Sequence, residues 1–97
     1  MGADKIQPMS KFAAYFEKYM IVVGVLGQLL FYFQGIKIFM TKSAHDISMT
    51  GFLISLISLS SWLVYGILIK NKVLVIANVA GVVGALFVII GILIHGN

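Results

Sequence analysis

Residues 62–81 read Trp62-Leu-Val-Tyr65-Gly-Ile-Leu-Ile-Lys70-Asn71-Lys72-Val-Leu-Val-Ile-Ala-Asn78-Val-Ala-Gly81. Two apolar runs meet at the polar break Lys70-Asn71-Lys72; one carries the single tryptophan of the chain, the other a lone asparagine. Such a break between uncharged runs reads as a turn at a membrane surface, with a helix entering lipid on each side. At ~1.5 Å of rise per residue, Trp62 and Asn78 then share a depth of roughly 8–12 Å inside the boundary. An aromatic plate and an amide at one level in a bilayer suit a small polyhydroxylated ligand: the ring stacks on C–H groups and the amide bonds hydroxyls.

Working outward, the whole chain fits lipid as its solvent. Of 97 residues, 61% are hydrophobic and 10% charged, more apolar surface than so small a soluble domain could hide. Three apolar runs stand out: Tyr19 to Met40, Gly51 to Ile69, and Val73 to Ile94. Each is near the ~20 residues needed to cross the hydrocarbon core. No alternating strand pattern appears, so three transmembrane helices in one all-α domain are expected. Residues 1–18 are more polar and read as an interfacial or disordered lead-in without the features of a secretory signal peptide. The connections are Thr41–Thr50 and Lys70–Lys72. All seven basic residues are lysines outside the runs or at their ends, so they read as interfacial anchors and not as a nucleic-acid patch. Zero cysteines exclude disulfides and thiolate metal sites.

The second run carries a stripe. Ser55, Ser58, Trp62 and Tyr65 are separated by three, four and three residues and so share one helix face. Serines in a membrane helix often bond back to their own helix or to a neighbour, and Tyr65 also suits an interfacial belt. Trp62 lies deeper than a belt residue normally does. Asn78 could serve structure alone through an interhelical hydrogen bond worth ~0.6 kcal/mol on average. The shared depth of Trp62, Tyr65 and Asn78 favours ligand contact instead. Ala77, Gly81, Gly84 and Gly91 on the third run, with Gly24 and Gly27 on the first, read as helix-packing surfaces.

Missing groups also inform. No ionisable residue lies centrally in any run, and Lys37 is close to an end. Proton- or voltage-driven devices generally need such a group, so passive movement of a neutral solute is expected. His45 and His95 show no metal-ligand spacing, and neither a nucleophile–base pair nor a phosphate-binding loop is present, so no enzyme, metal or cofactor is expected. Three helices cannot surround a solute path alone. Two copies about an axis along the membrane normal would duplicate Trp62, Tyr65 and Asn78 around it.

With the spans in place, the segment Gln34-Gly-Ile-Lys37, then Lys42-Ser-Ala-His-Asp-Ile-Ser-Met, then Trp62-Leu-Val-Tyr65-Gly66 and Asn78-Val-Ala-Gly81 resembles the bacterial SemiSWEET sugar transporters, half-size members of the SWEET and PQ-loop superfamily. The resemblance implies a triple-helix bundle in the order 1-3-2, paired as a parallel homodimer. It implies facilitative transport of a small neutral sugar, a mono- or disaccharide, by alternating access in the inner membrane. Trp62 and Asn78 would contact the sugar, with Tyr65 and Ser58 as further wall or gate residues, while Phe33, Gln34 and Asp46 would belong to the hinge or gate. The family's Pro-Gln pair is here Phe33-Gln34, which keeps the helical ladder intact where proline would break it. The break at residues 70–72 offers no acid for an ion-paired gate. Asp46 is expected to cap the second helix, or else to bond across the dimer. The resemblance places the N-terminus outside and the first connection in the cytoplasm. The lysines point the other way: Lys5, Lys11, Lys18, Lys70 and Lys72 share one side, against Lys37 and Lys42. The family orientation is adopted, because the charge difference is small. The alternative function is a non-transporting membrane subunit whose polar stripe docks another integral protein. Amino-acid carriage, as in lysosomal PQ-loop relatives, is disfavoured by the lack of a central charge to meet a zwitterion.

Overall fold

The computed structural model describes residues 10–96. Three helices account for nearly all of them: α1 (Lys11–Thr41), α2 (Met49–Leu68) and α3 (Lys72–His95). All are long and apolar enough to cross a membrane. Each starts at a side-chain cap that satisfies an otherwise unpaired N–H. Ser10 Oγ accepts from Ala13 N at 3.0 Å, Ser48 Oγ from Gly51 N at 3.0 Å, and Asn71 Oδ1 from Leu74 N at 3.1 Å. The ends of α1 and α2 are turned by two lysines in the left-handed region, Lys42 at φ 56° and Lys70 at φ 55°.

Two expectations change here. The polar lead-in over 1–18 is helical from Lys11 onward, and residues 1–9 lie outside the described residues. Ser10 caps this extension, good helix formers fill it, and Phe12 stacks on Phe16 with ring centroids 5.8 Å apart. The cap of α2 is Ser48, not Asp46: Ser48 immediately precedes the helix, while Asp46 lies exposed in the loop.

α3 packs against both α1 and α2, whose backbones do not approach each other, so the spatial order is 1-3-2. The principal extents are 53 × 22 × 14 Å. α1 and α2 still meet through side chains, with Phe31 edge to face on Phe52 at 5.6 Å, so the three helices form a bundle in which α3 packs against both others. Burial follows from this. α3 holds Asn78, Gly81, Gly84, Ala85, Val88, Ile89 and Gly91 away from solvent, whereas α1 buries only Gly35 and Ile38 and α2 only Gly66. Near the α1–α2 loop, Ala44 folds back onto Ile38 and Val88 to close a small core.

The small residues of α3 set how closely its neighbours approach. A Cβ on Gly81 would lie 2.8 Å from Leu59 Cδ2 of α2 and 2.9 Å from Gln28 Cδ of α1. On Gly84 it would lie 2.7 Å from Phe31 Cβ and 3.0 Å from the Tyr32 ring. On α1, Gly24 lies against Ala77, but Gly27 is not a packing residue, since a Cβ there would meet nothing within 4 Å. Gly84→Ala is therefore expected to destabilise the bundle by about 1–3 kcal/mol through overpacking, with Gly27→Ala at least as stable as wild type. Thermal unfolding of the detergent-purified variants reads both outcomes.

Candidate functional site

α2 is an edge helix, and only one of its faces is covered. Leu59 and Gly66 lie against α3, where Gly66 approaches Leu74 and Val75 beside the turn. The adjoining face presents the stripe: Ser55 is half-buried, while Ser58, Trp62 and Tyr65 are exposed. The Trp62 and Tyr65 rings meet edge to face with centroids 5.9 Å apart at 79°. Together with Ser61 they line an open groove of about 340 Å³. Trp62 keeps 52% of its surface exposed, within the range of other apolar side chains on α2 such as Ile57 at 68% and Leu68 at 74%.

Asn78 lies at the matching level. Trp62 precedes the last residue of α2, Leu68, by six positions, and Asn78 follows the first residue of α3, Lys72, by six. Each is thus about 9 Å along its helix from the turn. Asn78 is only 7% exposed, and its Nδ2 donates to Leu74 O of its own helix at 2.7 Å. The amide therefore back-bonds within α3 and forms no interhelical bond among the described residues. Within one chain, neither Asn78 nor Ser58 lines the groove at Trp62. Ser61 does, although its hydroxyl also back-bonds to Ile57 O at 2.8 Å. Its position four residues before Tyr65 was the available signal for it.

Phe33 and Gln34, expected at the hinge, lie on α1, whose helix runs unbroken through both. Phe33 is exposed; Gln34 is not. Gln34 Oε1 is buried, and among the described residues it has no hydrogen-bond donor. An unpaired buried amide oxygen costs about 1–3 kcal/mol. Gly35, next in the chain, lets the Phe87 ring lie directly on the α1 backbone.

Tyr32 is a site neighbour that the sequence reading missed. Its hydroxyl donates to Ala80 O, two residues past Asn78, at 2.8 Å, and its ring passes beside Gly84. This ties α1 to α3 at the level of the amide. The spacing Gly24, Gln28, Tyr32, Gly35 marks one α1 face and could have revealed it.

The two ends of the bundle differ in their polar chemistry. At the α2–α3 turn, Lys72 Nζ lies 3.8 Å from Glu17 Oε1, so the extended α1 supplies an acid that the break itself lacks. The pair is substantially exposed and contributes little to stability. At the opposite end, Lys37, Ser43, His45 and Asp46 line a cleft of about 200 Å³. His95 packs edge-on against Phe39 with centroids 5.4 Å apart.

A family model described as "sugar efflux transporter for intercellular exchange" matches residues 18–95. The sugar transporter SemiSWEET of Bradyrhizobium diazoefficiens is 42% identical over 45 residues, which cover 46% of this chain and 52% of that protein. The matched stretch thus spans about half the length of this curated relative. No solved structure matches the chain.

The Tyr32 bond leads to a direct test. Tyr32→Phe removes one donor to Ala80 O and is expected to cost about 0.5–1.5 kcal/mol, with the helical content unchanged. Denaturant unfolding in mixed micelles, followed by circular dichroism, measures it.

Proposed function

The chain belongs to the family of sugar efflux transporters for intercellular exchange, which are multi-pass membrane proteins and not enzymes, and from this membership we propose that it carries a small neutral sugar across the inner membrane without coupling to an ion. The unit of transport is a parallel homodimer working by alternating access, with the N-terminus outside and the α1–α2 loop in the cytoplasm. The observation that carries the reading is the exposed face of α2: Ser58, Trp62 and Tyr65 stand open on it, with Trp62 at the depth of Asn78.

The physical argument is one of enclosure. A ring of hydroxyls needs hydrogen-bonding partners in place of water, and an apolar plate for its C–H faces. One copy offers half of such a site, open on one side. A second copy related by a two-fold axis supplies another Trp62 ring and Asn78 amide, and covers hydroxyls that acyl chains cannot satisfy. Asn78 then trades its bond to Leu74 O for the sugar, and its held position keeps the amide oriented until the solute arrives. Phe33 and Gln34 on the continuous α1, with the loop residue Asp46, lie at the end assigned to the hinge and gate. The lack of a central charge fits a neutral cargo driven by its own gradient.

Purified protein in liposomes is expected to exchange labelled sugar in a counterflow assay across a panel of mono- and disaccharides. Trp62→Ala and Asn78→Ala should each reduce that exchange by at least about 100-fold, the scale of losing roughly 3 kcal/mol of sugar contact. Dimer formation should be unaffected. Intact dimers without flux for any sugar tested would instead support a docking subunit.

A further inference from the structure

Gln34 is a polar residue that the site at Trp62 leaves unused. Its buried Oε1 lacks a donor among the described residues, although leucine or methionine would fill the same volume without an unpaired polar atom. The side chain lines a groove of about 250 Å³ between α1 and α2, together with Gly27, Leu30, Phe31, Phe52 and Ser55. Gly27 faces open space here, and Phe31 meets Phe52 edge to face with centroids 5.6 Å apart. The groove is thus aromatic and aliphatic, with Gln34 and Ser55 as its hydrogen-bonding side chains.

Its position on the fold matters as much as its lining. Ser55 belongs to the same α2 stripe as Trp62, seven residues earlier, or ~10 Å along the helix toward the α1–α2 loop. The groove therefore continues the face that carries the Trp62 site. A lipid tail brings no donor for Gln34, and a charged solute finds no counter-charge, because no ionisable side chain lines the groove. A neutral polyol matches both its polar and its apolar parts.

We propose that this groove is a second sugar-contacting station, between the Trp62 site and the α1–α2 loop. The Gln34 amide and the Ser55 hydroxyl exchange hydrogen bonds with sugar hydroxyls there, and Phe31 and Phe52 supply the apolar wall. The terminal torsion of glutamine is broad, so rotation about it brings Oε1 into the groove when a donor arrives. Passage then proceeds by transfer between two stations of similar chemistry. This inference rests on the sugar-transport reading and gives Gln34 a role as a contact residue.

The only tryptophan of the chain makes the two stations separable by experiment. In full-length dimers, Gln34→Leu and Ser55→Ala are expected to leave the midpoint of sugar-induced Trp62 fluorescence change within about two-fold of wild type. Each should slow counterflow in proteoliposomes by about five- to ten-fold, the scale of one hydrogen bond. A series of monodeoxy hexoses then separates contact from hinge. At one deoxy position wild type should slow, and Gln34→Leu should show no further loss. If Gln34→Leu slows every sugar in the series by the same factor, or slows none, the second station is overturned. If Gln34→Leu does not assemble, Ser55→Ala read against the same series decides the matter. Wild-type protein with neither a fluorescence response nor flux for any sugar would overturn the transport reading itself, and the station with it.

Discussion

The close approach that the glycines of α3 permit is the constraint on which the rest of this molecule depends. Gly81 admits Leu59 from one side and Gln28 from the other, and Gly84 admits Phe31 and Tyr32. Lipid supplies no hydrophobic drive for helices to associate, so close packing and a few hydrogen bonds must do so. Both neighbours dock their backbones on α3, and α1 and α2 touch each other only through side chains such as Phe31 and Phe52. The product is a bundle in which burial belongs almost wholly to α3. That geometry leaves the α2 stripe with no cover inside one chain, and the functional proposal follows from what must cover it.

Polar groups are distributed along the bundle in a graded way. The Glu17–Lys72 pair marks the end at the α2–α3 turn, and the cleft of Lys37, Ser43, His45 and Asp46 marks the opposite end. Between them lie uncharged groups only: Asn78, Tyr32, Gln28, Gln34 and the serines of α2. Asn78 and Tyr32 meet at one level of α3, the first bonded to Leu74 O and the second to Ala80 O. Both therefore engage α3 carbonyls, on either side of the amide. The proposed downhill movement of a neutral sugar would require no stronger electrostatics than this.

Much of the architecture is written in the local sequence, and the exceptions have physical causes. Helix number, approximate ends and the small-residue face of α3 follow from apolar run length and glycine spacing. The start of α1 did not, because Lys11, Glu17 and Lys18 lower its hydropathy while leaving its helix propensity intact. Asp46 and Ser48 both suit a cap, and only the backbone decides that Ser48 stands next to the helix. Asn78 was legible as a special residue, but its bond was not, since an amide at that depth can turn to its own helix or to a neighbour with similar ease. Gly27 resembles the packing glycines in spacing yet faces open space, because contact depends on which helix lies opposite. Trp62, Tyr65 and Ser58 share the expected face, while Asn78 does not line the groove at Trp62 within one chain.

The central claim is that a second, parallel copy covers the α2 stripe. The chain contains no cysteine, so single-cysteine variants report one position each. Cross-linking in native membranes with a short bifunctional thiol reagent tests the claim directly. Ser58→Cys is expected to give a covalent dimer in high yield, and Val64→Cys, about 120° round the same helix, only monomer. Equal cross-linking at both positions, or none at Ser58→Cys, would contradict the account.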